Sequence, residues 1–258
     1  MLEINSFSLS FRRYKSFFTQ ENITRLNDIN LKINEGEMLA VIGHSGAGKS
    51  LLAHAILGLL PQNIDKSGEI FFKNKRLDEK YSKRIRGKEI ALLPQQISYL
   101  DPTALVGSQI RWAAQRADAE PEVVTRLAAV GLEESTAYLY PHQLSGGMAR
   151  RVLMAQATAG GAKLLIADEP TAGLDPESRN NMLDKLRKYA DDGGAVMLIT
   201  HDLIPALSRA DSVALLNEGE LCCFAPTSAF AGKGEALSSA YAQAMWQALP
   251  QNGFYTHA

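Results

Sequence analysis

Residues 38–50 have the sequence MLAVIGHSGAGKS. It opens with a short apolar run, passes through a glycine-rich loop, and continues into residues 51–60, which have helical character and end at Pro61. Glycines let backbone N–H groups turn toward phosphate oxygens, and a helix N-terminus adds partial positive charge. The order strand, loop, helix therefore predicts a phosphate-binding loop in an α/β fold.

This phosphate loop matches the full Gly-x-x-x-x-Gly-Lys-Ser pattern. We expect Lys49 to reach the β- and γ-phosphates of a nucleotide and Ser50 to ligate Mg²⁺. His44 occupies a variable position and is expected to face solvent. The predicted nucleotide-binding residues are Gly43, His44, Ser45, Gly46, Ala47, Gly48, Lys49, Ser50 and Leu51.

A second candidate site follows the apolar run at residues 164–167, where Asp168 and Glu169 stand next to each other. Open α/β sheets bind ligands at the carboxyl ends of their strands. We expect Asp168 to hold Mg²⁺ through water and Glu169 to act as general base on the attacking water, a role worth about 10²–10⁴ in rate. The alternative is a capped strand end without chemistry.

The rest of the pattern predicts short antiparallel strands in the first third and strands alternating with helices afterwards, hence a parallel sheet with helices on its faces. Further strands are predicted at residues 69–72, 90–93 and 196–200. Helices are predicted at residues 103–115, 121–130 and 148–159, and from Asp175-Pro176 to Gly193-Gly194.

Composition limits the function. The 258 residues have a formal net charge of −1, which does not favour nucleic acid as a partner. The only cysteines, Cys222 and Cys223, are adjacent, which favours a reducing cytosol. No signal-peptide pattern and no apolar run near the ~18 residues of a membrane span are present, so a membrane role is expected to come through partners.

Between the two candidate sites lies Leu144-Ser145-Gly146-Gly147-Met148, a Ser-Gly-Gly that opens a predicted helix. Through this motif and its order the chain resembles the ATP-binding cassette (ABC) family. The resemblance implies a P-loop, RecA-like core with a mostly parallel sheet, an N-terminal antiparallel β subdomain and an inserted α-helical subdomain. It implies one nucleotide-binding domain at residues 1–250, with the helical subdomain at about 97–160, and a short tail at 251–258.

The resemblance also assigns residues. It implies that two cassettes pack head to tail and that Ser145, Gly146 and Gly147 of each contact the γ-phosphate held by the other. Gln95 is expected to contact Mg²⁺ or the attacking water, with Gln96 as the alternative. His201 matches the histidine that contacts the γ-phosphate.

Two further assignments rest on the resemblance. Phe11 matches the aromatic residue that stacks on adenine, with Tyr14 as its competitor. Residues 172–175 match the loop that crosses the dimer interface, and Asp175 is also a predicted helix cap.

Residues 140–148 and 163–171 resemble the branch of the family that powers import of peptides, opines, and nickel or metal–chelator complexes. Residues 99–102 and 240–250 are also similar to that branch. Met148 replaces a commoner Gln, and Ala149-Arg150-Arg151 replaces a usual Gln-Arg pair. The cysteine-bearing C-terminal extension of many peptide-transport members is missing, which favours the shorter nickel or metallophore type.

The function implied by the resemblance is an ATP-hydrolysing subunit of an importer, peripheral on the cytoplasmic face of the cell membrane. Its expected partners are two integral-membrane permeases, a second cassette in a heterodimer or a homodimer, and a separate substrate-binding protein, with no nucleic acid. The alternative is a soluble ABC ATPase that acts on ribosomes or DNA. A second alternative is a regulator that binds ATP without turnover, against which Glu169 and His201 argue.

Overall fold

The computed structural model describes residues 1–16, 19–249 and 252. The chain divides into two compact units. The first consists of Met1–Ile33, Leu39–Leu77 and Thr200–Ala258, and the second of Asn34–Met38 and Asp78–Ile199. No helix among the described residues is both long enough and apolar enough to cross a membrane.

The strands are β1 (Leu2–Ser16), β2 (Thr19–Ile33), β3 (Met38–Ile42), β4 (Ile64–Phe72), β5 (Lys75–Arg76), β6 (Ile90–Leu93), β7 (Leu164–Asp168), β8 (Ala195–Thr200), β9 (Ser212–Asn217) and β10 (Glu220–Pro226). The helices are α1 (Lys49–Ile56), α2 (Glu79–Ile85), α3 (Val106–Arg116), α4 (Val123–Ala129), α5 (Gly146–Thr158), α6 (Pro176–Asp191), α7 (Leu203–Leu207) and α8 (Ala240–Gln247). Short 3₁₀ helices lie at Ile97–Tyr99, Glu134–Tyr138, Pro141–Gln143 and Thr227–Ala229.

The first unit is built on a sheet with the strand order β5-β4-β1-β2-β10-β9-β3. Strands β1, β2, β4 and β5 pair antiparallel, and β3 pairs with β9 in parallel. Strand β3, which leads into the predicted phosphate loop, is buried along its whole length. The antiparallel N-terminal part predicted from the sequence is therefore confirmed.

Strand β1 is longer than the short strands expected from the sequence. Its buried residues Leu2, Ile4, Phe7 and Leu9 change from even to odd positions near Ser6. At Ser6 the backbone has φ 45°, and the pairing register shifts between Ile4 and Phe7. This bulge returns the apolar residues to one face, so an interrupted alternation is compatible with a continuous strand.

The second unit contains the parallel strands β8, β7 and β6, side by side in that order. The side chains of residues 164–167 and 195–199 are fully buried. Apolar runs without alternation are typical of parallel strands covered on both faces, and the predicted strands 164–167 and 196–200 are confirmed.

The chain between β6 and β7 contains only helices and turns among its regular elements. Helix α3 begins at Val106 rather than at Thr103, because Asp101 accepts hydrogen bonds from the backbone N–H and hydroxyl of Thr103, at 2.8 and 2.6 Å. Such Asx turns compete with helix formation. Hydrogen bonding to Thr103 lowers the pKa of the Asp101 carboxyl.

Gly68 lies where the register of β1 with β4 shifts, and it has φ +75°. A Cβ added there would lie 2.1 Å from the carbonyl oxygen of Ser6, whereas at Gly87, with φ +78°, it would meet no described atom within 4 Å. We expect Gly87→Ala to cost about 1–2 kcal/mol of unfolding free energy from φ alone and Gly68→Ala to cost about 1–3 kcal/mol more from the clash. Urea unfolding of both variants measures the difference, and equal losses would contradict this account.

Candidate active site

The phosphate loop joins β3 to α1 and is organised by Lys49. Lys49 is only 7% exposed. Its Nζ donates to the carbonyl oxygens of Gly43, at 2.6 Å, and His44, at 3.0 Å. A buried ammonium group needs such partners, because an uncompensated charge inside a protein is costly. The lysine is therefore held inside the loop in which it is predicted to bind phosphate.

Two glycines of this loop are required by close packing. A Cβ at Gly43 would lie 2.4 Å from the carbonyl oxygen of Leu216, at the end of β9. Gly48 has φ +102°, and a Cβ there would lie 2.6 Å from Cδ2 of Leu26 in β2. The backbone N–H of Gly219 donates to the carbonyl of Ala47 at 3.2 Å. The loop is thus wedged against β2 and the β9–β10 turn.

The remaining loop residues differ in exposure. Ala47 is buried, Leu51 is half-buried, and Ser45, Gly46 and Ser50 are exposed. His44 is also exposed, in agreement with its expected solvent-facing position, and its Nδ1 lies 2.6 Å from the Ser45 carbonyl oxygen.

Two other predicted residues belong to the same unit. His201 directly follows β8, its side chain is 60% exposed, and its Nε2 lies 3.8 Å from Oδ1 of Asp202. Phe11 lies in β1 between Ile23 and Ile64 and is half-buried. The side chain of Tyr14, its competitor, lies outside the described residues.

In the second unit, the adjacent acids stand at the carboxyl end of β7. Asp168 is its last residue and pairs with Ile199 of β8. Glu169 has φ +47°, and its N–H donates to the Ile199 carbonyl at 2.9 Å. A non-glycine residue in this left-handed region costs of order 1–3 kcal/mol and is typical of functional sites. The backbone bond to β8 helps to hold Glu169 in this conformation.

The carbonyl oxygens after Glu169 are held by Arg150 of α5. Its Nη1 donates to the carbonyls of Glu169, at 3.4 Å, and Pro170, at 3.2 Å, and its Nη2 donates to the Ala172 carbonyl. Burial lowers the pKa of the guanidinium. In the sequence, Arg150 stands out only as a departure from the family pattern, because these bonds join residues about twenty positions apart.

The Ser-Gly-Gly segment forms the start of α5, as predicted. Ser145 is the N-cap, and its Oγ accepts a hydrogen bond from the Met148 N–H at 3.2 Å. Ser145 and Gly146 are exposed. An exposed helix N-terminus offers N–H groups and partial positive charge to an anion.

Gln95 follows β6 and lines a cavity of about 430 Å³. This cavity brings it together with Gly146 of the Ser-Gly-Gly segment, with Arg150, and with the loop after the acids; its lining residues are Gln95, Gln96, Ile97, Ser98, Gly146, Arg150, Ala172, Gly173 and Leu174. Gln96, the alternative to Gln95 for the contact to Mg²⁺ or the attacking water, lines the same cavity. Both glutamines therefore remain candidates for that role.

The chain beyond Gln95 is anchored by Gln109 of α3, which is 2% exposed. Its Oε1 accepts from the Asp101 N–H, and its Nε2 donates to the Asp101 and Ala104 carbonyls, each at 2.9 Å. A buried amide with all these bonds made fixes the segment that it touches. No pattern in the sequence indicates this role, because a glutamine in a helix is usually exposed.

Mg²⁺ prefers oxygen ligands such as carboxylates, hydroxyls and amide carbonyls. The three residues predicted to hold it, Ser50, Gln95 and Asp168, offer only oxygen donors of these kinds. Their chemistry therefore fits a magnesium ion.

The chain matches the family model described as ABC transporter over residues 26–172, more than half of its length. It is 34% identical over 238 residues to the oligopeptide transport ATP-binding protein OppD of Bacillus subtilis, an alignment covering 86% of this chain and 64% of that protein. It is 35% identical over 211 residues to the metal-staphylopine import system ATP-binding protein CntD of Staphylococcus aureus, covering 76% and 77%. The chain thus spans about two thirds of the length of the oligopeptide relative.

Among solved structures, the chain resembles the dimeric post-hydrolysis state of an ATP-binding cassette bound to ADP and Pi. The TM-score is 0.73 at 27% identity, and the match covers 88% of this chain and 99% of the other. The chain belongs to the ABC transporter family and has the fold of its ATP-binding ATPase domain. The family and the fold class predicted from the sequence are confirmed.

Asp175 caps α6 by accepting a hydrogen bond from the Ser178 N–H at 2.9 Å, and hydrogen bonding to Ser178 lowers the pKa of its carboxyl. Because the pKa is lower in the folded state, the ionised Asp175 side chain stabilises the fold at pH values above its ordinary pKa of 3.8. This stabilisation is lost as the pH falls through the lowered pKa. We therefore expect Asp175→Asn, which keeps a capping side chain, to be less stable than the wild type at pH 7. The difference should shrink on acidification, as urea unfolding between pH 7 and 3 would measure. A difference that does not change with pH would contradict the expectation.

Proposed function

We propose that this chain is the ATP-hydrolysing subunit of an ABC importer at the cytoplasmic membrane. The observation that carries the proposal is the cavity in which Gln95, the start of α5 at Gly146, and the loop after Glu169 meet. Gln95 and the acids at the end of β7, with the complete phosphate loop, are parts that a cassette ATPase needs to bind and sense its own γ-phosphate, and the start of α5 is the part that it would offer to a partner's site.

The proposed chemistry is in-line transfer of the γ-phosphoryl group to water. Glu169 accepts a proton from the attacking water. At the same time the water oxygen bonds to the γ-phosphorus, and the bond from the γ-phosphorus to the bridging β-phosphate oxygen breaks. Lys49 leaves its loop carbonyls to bind the β- and γ-phosphates, and His201 contacts the γ-phosphate. Phe11 stacks on adenine.

A magnesium ion would be held by Ser50 and, through water, by Asp168. Gln95 would contact either the ion or the attacking water. When bound, it neutralises charge on the β- and γ-phosphates. The protein's own contribution is to position the nucleotide and the water, which supplies most of the catalysis in phosphoryl transfer.

A second cassette is the proposed partner for the exposed end of α5. Ser145, Gly146 and Gly147 would bind the γ-phosphate held in the partner's phosphate loop. The similar solved cassette is described as dimeric, which supports this arrangement. Heterodimer and homodimer are both compatible with these surfaces.

Two membrane permeases are the proposed contacts of the helical region between β6 and β7. Tyr99, Trp112 and Tyr138 are 64%, 49% and 71% exposed there. Aromatic side chains are enriched in protein interfaces, so their exposure supports a docking surface. A separate substrate-binding protein would deliver the cargo.

The proposed cargo is a peptide or a metal–chelator complex. Both classes occur in the names of relatives at 34% and 35% identity, so similarity does not divide the peptide type from the nickel or metallophore type. These names, with the net charge of −1, disfavour an ATPase acting on ribosomes or DNA.

The roles of Lys49 and Glu169 are separable by substitution. We expect Glu169→Gln to keep ATP affinity within about threefold and to lose roughly 10²–10⁴ in kcat, because the base is removed while the shape is kept. Lys49→Ala should instead raise the dissociation constant of ATP by roughly tenfold or more, since a phosphate contact is lost. Fluorescent-nucleotide binding and phosphate release measure the two effects, and normal turnover by Glu169→Gln would refute the assigned role.

The transport role is tested by purifying the tagged chain from detergent-solubilised membranes and identifying its partners by mass spectrometry. We expect two permeases and one further cassette, or a second copy of this chain, with ATPase activity in the complex. A tagged Lys49→Ala variant should recover the same membrane partners without that activity. Recovery of ribosomes or nucleic acid instead would overturn the importer proposal.

A further inference from the structure

We propose that Arg150 is a positioning residue that sets the carboxylate of Glu169 for catalysis by fixing the loop at residues 169–172. The proposal rests on the role proposed above for Glu169. It adds a residue outside the predicted site, which would act through the backbone carbonyls that it binds.

The contacts of Arg150 converge on one short loop. The guanidinium donates to the carbonyls of Glu169, Pro170 and Ala172, using both Nη atoms. The Glu169 carbonyl also accepts from the Ala172 N–H at 3.2 Å, which closes the loop into a turn. One side chain therefore holds the backbone of the turn that begins at the proposed base.

This restraint matters because the backbone of Glu169 is strained. Its φ of +47° is a conformation that residues with a side chain rarely adopt, and it persists only where the surroundings enforce it. The Ile199 carbonyl restrains the N–H side of Glu169, and Arg150 restrains its carbonyl side. Relaxation of φ would swing the Cα–Cβ bond and displace the carboxylate.

Arg150 is mounted on a rigid support. It lies in α5, four residues after Gly146, and residues four apart occupy the same face of a helix. Gly146 and Arg150 both line the cavity that is also lined by Gln95. Arginine suits this place because its planar group presents five N–H donors in a fixed fork and stays charged, whereas lysine offers one compact donor group.

The test is the steady-state ATPase activity of the full chain with Arg150→Ala. We expect kcat to fall roughly 10- to 100-fold, as for small misplacements of a catalytic group, with the dissociation constant of ATP changed by less than about twofold. Arg150→Lys should recover part of the loss. Arg116→Ala, which removes an exposed arginine from the last turn of α3, is the matched control and should leave kcat unchanged.

A double-mutant cycle separates positioning from general damage. In the Glu169→Gln background, Arg150→Ala should cause no further loss of kcat, because there is no base left to position. An unchanged kcat in Arg150→Ala, or the same fold-loss in both backgrounds, would overturn the proposal. If Arg150→Ala does not fold, Arg150→Gln and Arg150→Lys are carried through the same cycle with the same criteria. Normal turnover by Glu169→Gln alone would instead show that the proposed function has failed.

Discussion

The phosphate loop is organised by a buried ammonium group. Lys49 needs inward-facing carbonyls, and it finds them at Gly43 and His44. To present those carbonyls, the loop must curl tightly. Gly43 then lies too close to the Leu216 carbonyl oxygen to carry a Cβ, and Gly48 takes a positive φ beside the Leu26 side chain. The placement of β2, β9 and β10 around β3 is thus linked to the partners of one side chain.

The second unit follows a different constraint, which is backbone strain at the end of a parallel strand. The buried strands β7 and β8 hold Asp168 and the N–H of Glu169 by register, and Arg150 holds the carbonyls beyond. A polar side chain that binds several main-chain carbonyls replaces hydrogen bonds that a regular element would have made. The strain at Glu169 is compensated by hydrogen bonds on both of its sides.

The sequence predicted those parts of the site that consecutive residues specify. The phosphate loop, the cap at Ser145 and the acids after β7 each depend on a few neighbouring residues and on apolar runs beside them. The continuity of β1 was not predicted, since a bulge at Ser6 breaks the alternation that identifies a strand. The start of α3 was placed too early, because a local Asp101–Thr103 turn competes with helix propensity.

Hydrogen bonds from side chains to irregular backbone were the other gap. The carbonyl partners of Arg150 lie about twenty residues further along the chain, those of Gln109 lie eight and five residues before it, and no spacing rule connects either set. In a single sequence these residues have the types expected on an exposed helix face. Only the folded backbone shows which carbonyls they bind.

The turn between β9 and β10 has a practical consequence for engineering this chain. Exposed loop tips generally tolerate the insertion of a tag or a fluorophore-bearing loop. Here Glu218 and Gly219 both have positive φ, and Gly219 donates to Ala47 and accepts from the Asn27 N–H. A label inserted in this hairpin would displace Gly219 and break its hydrogen bond to Ala47, which would disturb the loop around Lys49. Reporter groups therefore belong elsewhere on the molecule.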